Sequence, residues 1–470
     1  MNRIKSGLAS AALTLGLALS ATASGAETLG AALTSAYNTS GLLEQNRALL
    51  RAADESVAQA LSALRPVVQW SASANQRFTE SASAATGFAS VSAEPASVSL
   101  ELSASLLLYD FGASQVGIDI AKESVLSTRY SLIGVEQQVL LRAAAAFFQV
   151  QRASEFVSVR ESNLRLIRQE LRAAQDRFEV GEVTRTDVSL AEARLAAAQS
   201  ALSAAQGGLN QARIEYVAAV GREPSNLQTP ASLPALPPTV QAAMAAAAVN
   251  HPSVLAAQKD VKVSELNVVA ADLALRPSIN LSTSYGVTED LNDSGNSRGL
   301  TIGVGASQTI YAGGRLSSLQ RQAMQRRDAT RSNLHVVVDN VRSDAGNAYS
   351  NVLVARASRD AGTQQVRAAQ VAFDGVREET SLGARTTLDV LNAQQDLLQA
   401  RVDLISARID EYVGAYQLLA ATGQLTAEKL GLPVQIYDPA AYYNLVKDAP
   451  AGLSKRGQQL DKVLRRIGKQ

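Results

Sequence analysis

The sequence predicts an α+β membrane protein with an internal two-fold sequence repeat, in which β-strands cross the bilayer and very long helices lead away from it. Three observations point there. An export signal opens the chain, yet no later apolar stretch approaches the roughly 20 residues of a membrane-spanning helix. Landmark residues recur in the same order at an offset of 202. Segments that alternate apolar and polar residues run directly into long stretches of helical pattern.

The signal comes first. Arg3 and Lys5 precede an apolar run from Leu8 to Leu19, and Ser24-Gly25-Ala26 supplies small residues before Glu27. A charged start, a short apolar stretch and a small-residue cleavage site assign residues 1–26 to a secretory signal, too short to span a bilayer. Losing Arg3 and Lys5 turns the formal charge of +1 into 1 − 2 = −1, so no basic field argues for nucleic acid. The chain has no cysteine, which excludes disulfides, thiolate metal sites, a cysteine nucleophile and the usual lipid attachment point of exported proteins.

The first half spans residues 27–221 and the second 240–423. Gly181-Glu182-Val183-Thr184-Arg185-Thr186-Asp187-Val188 aligns with Gly383-Ala384-Arg385-Thr386-Thr387-Leu388-Asp389-Val390 at an offset of 202. Tyr109-Asp110-Phe111-Gly112 aligns with Tyr311-Ala312-Gly313-Gly314 at the same offset, and Leu64-Arg65-Pro66 with Leu275-Arg276-Pro277 at 211. Chance similarity between alanine-rich helices explains the helices but not these ordered landmarks.

After an opening helix, each half carries two strands, about 66–78 and 97–109, then about 277–287 and 299–310. Val68, Trp70, Ala72 and Ala74 alternate with Gln69, Ser71, Ser73 and Asn75; Ile279, Leu281, Thr283 and Tyr285 alternate with Ser278, Asn280, Ser282 and Ser284. Period-two patterning with serine rather than charge on the polar face is how a transmembrane barrel strand reads. Tyr109, Phe111 and Tyr311 fall where the strands would leave the bilayer, as an aromatic girdle should. A soluble sandwich would alternate too, but without that girdle. Four strands cannot close a barrel, and open edges in lipid cost several kcal/mol per unpaired group, so the chain must oligomerise.

Long helices follow at 112–179 and 314–379, each a rod of roughly 100 Å at 1.5 Å per residue. Tips at 180–186 and 380–386 turn the chain into shorter helices at 186–220 and 386–422. Leu391, Leu398, Val402, Ile405 and Ile409 form a stripe on the last of these, expected to be core packing. Pro224, Pro230, Pro234, Pro237 and Pro238 mark residues 222–239 as a linker strapped outside the helices. A helix follows from about Val240 to Leu275, broken at His251-Pro252. Residues 424–470 read as a second outside strap ending in a mobile, solvated tail, basic through Lys455, Arg456, Lys462, Arg465, Arg466 and Lys469 against Asp461.

Strand pairs feeding long helices, duplicated once, with Gly383-Ala384-Arg385-Thr386-Thr387-Leu388-Asp389-Val390-Leu391 opening a short helix, resemble the TolC-like outer membrane efflux proteins across essentially the whole mature chain. The resemblance implies a trimeric 12-stranded transmembrane β-barrel, with four strands per subunit, continued by a long α-helical coiled-coil barrel into the periplasm. It implies a homotrimer that works with a periplasmic adaptor and an inner-membrane ABC or proton-driven (RND) transporter, the adaptor docking at the tips around Gly181 and Gly383. The family exports proteins or small toxic molecules, and the missing lipid-bearing cysteine favours its unlipidated branch.

The family shuts its periplasmic mouth with bonds between the two tips and narrows it with an acidic ring. Carried across, Arg385 would reach Thr186 and its neighbour Asp187, and Asp389 would supply the ring. Arginine suits a latch because its planar fork grips carbonyl and carboxylate oxygens. Thr380 stands where a tyrosine would bond Asp187, and Asn392 where a second aspartate would join the ring, so the gate is expected to be looser than the family pattern. The plainer explanation of Thr186, Asp187 and Asp389 is helix capping.

Two other classes of protein compete with this one. An enzyme would need a reactive constellation, but His251 and His335 stand apart, and no Gly-x-Ser-x-Gly, His-Glu-x-x-His or phosphate-loop pattern appears. No cofactor or metal is expected: Asp290-Leu291-Asn292-Asp293-Ser294-Gly295 starts like a calcium loop, yet Thr301 sits where the closing Glu should be. The other rival is a non-conducting periplasmic or surface coiled-coil structural protein.

Overall fold

Two unbroken helices of 67 residues dominate the computed structural model, which describes residues 27–82, 84–292, 295–452 and 454–467. The export signal, Asp293 and Ser294 of the calcium-like loop, and Lys469 of the tail lie outside the described residues. Among the described residues no helix is long and apolar enough to cross a membrane.

The chain opens with α1 (Leu29–Thr39) and α2 (Gly41–Ser62), separated by an extended Ser40 whose hydroxyl accepts from the Leu43 amide at 3.3 Å. Then β1 (Val67–Gln76), β2 (Thr79–Ala82), β3 (Ser90–Ala93) and β4 (Ala96–Tyr109) lead into α3 (Ala113–Glu179) and its returning partner α4 (Arg185–Val220). The second half repeats the order with α5 (Val240–Asn250), α6 (Pro252–Leu273), β5 (Ser278–Asp290), β6 (Asn296–Ser307), α7 (Arg315–Ser381) and α8 (Thr387–Ala421). The α5–α6 break falls at His251-Pro252, where proline cannot continue a helix but suits the first turn of the next.

Strands β1, β4, β5 and β6 form one antiparallel sheet in the order β1-β4-β5-β6, so β1 and β6 are its edges. Its register aligns chemistry row by row. Trp70, Leu102, Tyr285 and Leu300 lie side by side, and the adjacent row is Gln69, Ser103, Ser284 and Thr301. Period two therefore puts the apolar row on one face and the polar row on the other. Trp70 is 72% exposed in the single chain, and Leu100, Leu102, Leu300, Ile302 and Val304 are exposed as well. The β2–β3 hairpin, joined to neither edge among the described residues, has no counterpart in the sequence reading: four residues per strand are too few to establish a period.

Each long helix begins at a left-handed glycine. Asp110 prepares α3 by accepting from the Gly112 amide at 3.0 Å and the Ser114 amide at 2.7 Å, which leaves Phe111 at φ +57 where Gly313 stands at φ +60. Small residues bring α7 and α8 together: a Cβ on Gly414 would lie 3.3 Å from Val352 and one on Gly362 3.5 Å from Leu404. Leu391, Leu398, Ile405 and Ile409 are buried along α8, as the stripe predicts.

The main core sits at mid-length, where Phe147, Phe148 and Tyr216 are fully buried and Phe148 stacks on Tyr412 at 5.1 Å. Both proline-rich segments strap onto the helices. Tyr412 donates to the Pro230 carbonyl at 2.9 Å and Tyr349 to that of Pro238 at 3.0 Å, while Leu430, Leu432 and Val434 pack on the core. Glu411 is buried between Arg356 at 3.1 Å and Arg359 at 2.6 Å.

The expected mobile tail is corrected. Residues after the strap form α9 (Pro439–Val446) and α10 (Lys455–Ile467), and Leu460 is buried against Tyr442 and Val446. Lys455, Arg456, Lys462 and Arg465 dominate the composition there, but Leu460, Val463 and Leu464 recur at helical spacing and give the segment an apolar side to fold against.

Candidate functional site: the paired helix tips

Both long helices end in the same way. Gly181 and Gly383 take φ +81 and +77, which lets Glu182 donate to the Arg177 carbonyl and Ala384 to the Glu379 carbonyl, both at 2.9 Å. A left-handed residue here closes the last turn and satisfies carbonyls the helix leaves free. A Cβ on either glycine would meet nothing within 4 Å, so both stand at open extremities.

Each returning helix then starts in a capping box, a reciprocal pair of backbone and side-chain bonds. Thr184 donates its amide to Asp187 at 2.9 Å and its hydroxyl at 2.8 Å, and accepts from the Asp187 amide at 3.3 Å. Thr386 and Asp389 repeat this with 3.0, 2.8 and 3.3 Å. The amide and hydroxyl of Thr386, with Arg385 nearby, hold the Asp389 carboxyl below the usual carboxylate range. Residues 180–186 and 380–386 are thus narrower turns than expected: Thr186 is already inside α4, and Thr380 is inside α7.

The tips differ in their flanking charges. Arg177 and Val183 of the first correspond to Glu379 and Arg385 of the second, and Arg385 bonds Glu379 at 2.9 Å. Within the single chain Arg385 therefore bonds Glu379 rather than Thr186 or Asp187. Glu379 belongs to the same hairpin, and Asp187 already receives the amide and hydroxyl of Thr184. Arg385 and Asp187 nevertheless line one cleft of about 540 Å³, together with Arg177, Glu182, Thr380 and Thr387.

Thr380 is buried and gives its hydroxyl to the Val376 carbonyl at 2.7 Å, so it replaces no tyrosine in bonding Asp187. Thr387, which the sequence did not single out, is buried at the same cleft with a hydroxyl that has no hydrogen-bond partner among the described residues. Asn392 accepts from Arg194 at 3.2 Å, a bond from α4 to α8. Two more polar contacts join the hairpins above the tips: Arg377 with Glu170 at 3.5 Å, and Gln394 donating to Asn163 at 2.8 Å. Phe373, Val390 and Leu397 form a small core there, with Leu166 of α3 packed on it. Arg194, Arg377 and Glu170 were not foreseen, since their partners lie on the other hairpin.

At the opposite end, Tyr109 and Phe111 pack with ring centroids 4.7 Å apart at the β4–α3 junction. Tyr311 is 85% exposed at the β6–α7 junction. Among the described residues no group of three His, Asp or Glu side chains is placed to hold a metal ion.

The model of one protein family, outer membrane efflux protein, matches residues 32–222 and 243–424. The outer membrane efflux protein BepC of Brucella suis biovar 1 (strain 1330) is 37% identical over 448 residues, covering 95% of this chain and 96% of that protein. The outer membrane protein TolC of Vibrio cholerae serotype O1 is 25% identical over 326 residues, covering 67% and 74%. Among solved structures, the Campylobacter jejuni CmeC outer membrane channel superposes with a TM-score of 0.75 at 14% identity over 90% of each chain, a likeness of fold.

Proposed function

Because the chain belongs to the outer membrane efflux protein family and resides in the outer membrane, we propose that it is the exit duct of a tripartite export system, gated at its helix tips. It is a homotrimer whose three sheets close a twelve-stranded barrel, with the long helices continuing the duct through the periplasm. Proteins or small toxic molecules enter from an inner-membrane ABC or proton-driven transporter. A periplasmic adaptor seats on the tips around Gly181 and Gly383, and Tyr109, Phe111 and Tyr311 lie at the membrane boundary.

The open sheet carries this reading. Each edge strand has one partner, and an apolar face including Trp70, Leu102 and Leu300 is exposed. Unpaired backbone in lipid costs several kcal/mol per group, so β6 of one subunit pairs with β1 of the next. Duplication of the chain is supported by the two matched stretches and by the capping boxes at the same offset of 202. The test is light scattering of detergent-purified protein, which should give three chains per particle. A monomer that high salt or carbonate releases from membranes would instead make the chain a non-conducting coiled-coil protein.

In the closed duct, Thr186, Asp187, Thr380, Arg385, Asp389 and Asn392 surround the constriction, and three copies of Asp389 favour cations. The cross-hairpin contacts Arg194–Asn392 and Arg377–Glu170 hold it shut. Contacts at or near the surface are worth about 0.2–1 kcal/mol each, so Arg194→Ala with Arg377→Ala should shift the open population about fivefold per subunit. Arg385→Ser, which removes the bond to Glu379, and Asp389→Ala, which breaks the capping box, loosen the second tip and should each raise conductance as well. Planar-bilayer recording that finds all these variants unchanged would remove the gate from the tips.

A further inference from the structure

The C-terminal helix α10 stands where helices give way to strands. Arg65, two residues before β1, donates both terminal nitrogens to the carbonyls of Asp448 and Ala449, in the turn between α9 and α10. Tyr442 of α9 bonds Glu55 of α2 at 2.6 Å, and Arg456 ties α10 back through Asp448 at 2.7 Å. Leu460 fixes the helix to α9.

At 100° per residue, Leu460, Val463 and Leu464 share one side of α10, while Lys455 and Lys462 lie nearly opposite and Arg465 flanks them. Val463 and Leu464 stay 38% and 36% exposed, so packing on α9 leaves part of the apolar stripe uncovered. Lys455, Lys462 and Arg465 are exposed and form no ion pair among the described residues. A helix with apolar and cationic sides matches an interface between acyl chains and negative headgroups, with the long basic side chains reaching out to the phosphates.

We propose that α10 lies along the periplasmic leaflet of the outer membrane and binds anionic phospholipid headgroups through Lys455, Lys462 and Arg465, with Val463 and Leu464 entering the acyl boundary. The inference rests on the reading of β1, β4, β5 and β6 as membrane strands. Charge complementarity and the anchorage at Arg65 favour lipid over a protein partner.

The chain has no cysteine and one tryptophan, which allows two independent probes. Full-length Val463→Cys carrying a polarity-sensitive dye is reconstituted in phosphatidylcholine vesicles, with or without roughly 30% phosphatidylglycerol, with and without brominated acyl chains. Trp70 of the unlabelled protein reports the strands in parallel. Dye emission should rise about twofold in the anionic vesicles, with quenching by brominated lipid, and should return to the neutral-vesicle level in Lys455→Glu/Lys462→Glu/Arg465→Glu. Trp70 should be quenched by brominated lipid in every vesicle. A dye open to aqueous iodide in both compositions, with Trp70 quenched, overturns the proposal alone. A dye shielded from iodide but untouched by brominated lipid places α10 on protein and overturns it too. Unquenched Trp70 removes the membrane strands and the proposal with them.

Discussion

Gly423→Ala is expected to destabilise the helical body by about 3 kcal/mol or more, read as a large drop in the melting temperature of the purified protein. Gly423 has φ +72, where a Cβ costs about 1 kcal/mol by itself. That Cβ would also stand 2.5 Å from the Asn250 carbonyl oxygen, 2.8 Å from its carbon and 3.0 Å from the His251 Cα. All three are backbone atoms at the α5–α6 break, so no rotamer change relieves the clash and the end of α8 must lift away. Gly383→Ala is the control: φ is +77 but nothing lies within 4 Å of its Cβ, so only the backbone cost of about 1 kcal/mol remains. Equal melting temperatures for the two variants would show that the α8 end does not bear on the break. The first half repeats the arrangement, with Gly221 against Thr39 beside the α1–α2 break.

The second large effect is a gain. Asp54 on α2 is fully buried, neither carboxyl oxygen has a hydrogen bond among the described residues, and the Arg129 guanidinium stands off at 3.8 Å. Burial outweighs that attraction and pushes the Asp54 carboxyl up to about 6 from 3.8. A raised carboxylate pKa penalises the folded state once the carboxyl of the unfolded chain ionises. The penalty is absent below pH 3.8, grows as pH rises through about 6, and is complete above it. Asp54→Asn should therefore stabilise the protein by up to about 3 kcal/mol at pH 8 and lose that advantage near pH 4. Thermal unfolding at both pH values measures it; an advantage that does not change with pH would mean that Asp54 is not ionised at the expense of the fold.

Much of this architecture is legible along the chain because its signals are local. Alternation around Trp70 and Leu281 marks strands, the absence of proline through α3 and α7 marks rods, and Gly181 and Gly383 mark the ends. What was not legible depends on residues brought together from afar. Asn392 reads as a neutral member of an acidic ring until Arg194, 198 residues away, is found donating to it. Arg385 is the local exception: its fork suits any carboxylate, and Glu379 is near in sequence, but only the turn at Gly383 brings the two within reach. Glu411 looks like any helix-surface charge until Arg356 and Arg359 enclose it. In α10 the charges of Lys455, Arg456, Lys462 and Arg465 mask a stripe whose meaning depends on Tyr442 and Val446 beneath it.

The sheet edges also have a genetic consequence. In the proposed trimer, pairing competence resides in β1 and β6, while the residues that open or shut the duct lie at the far end of α3 and α7. A subunit with defective tips would be accepted into assemblies as readily as an intact one. With both kinds expressed equally, only about one trimer in eight would be wholly intact. Tip mutations should therefore act dominantly over a normal copy of the gene, whereas mutations that spoil β1 or β6 should be recessive.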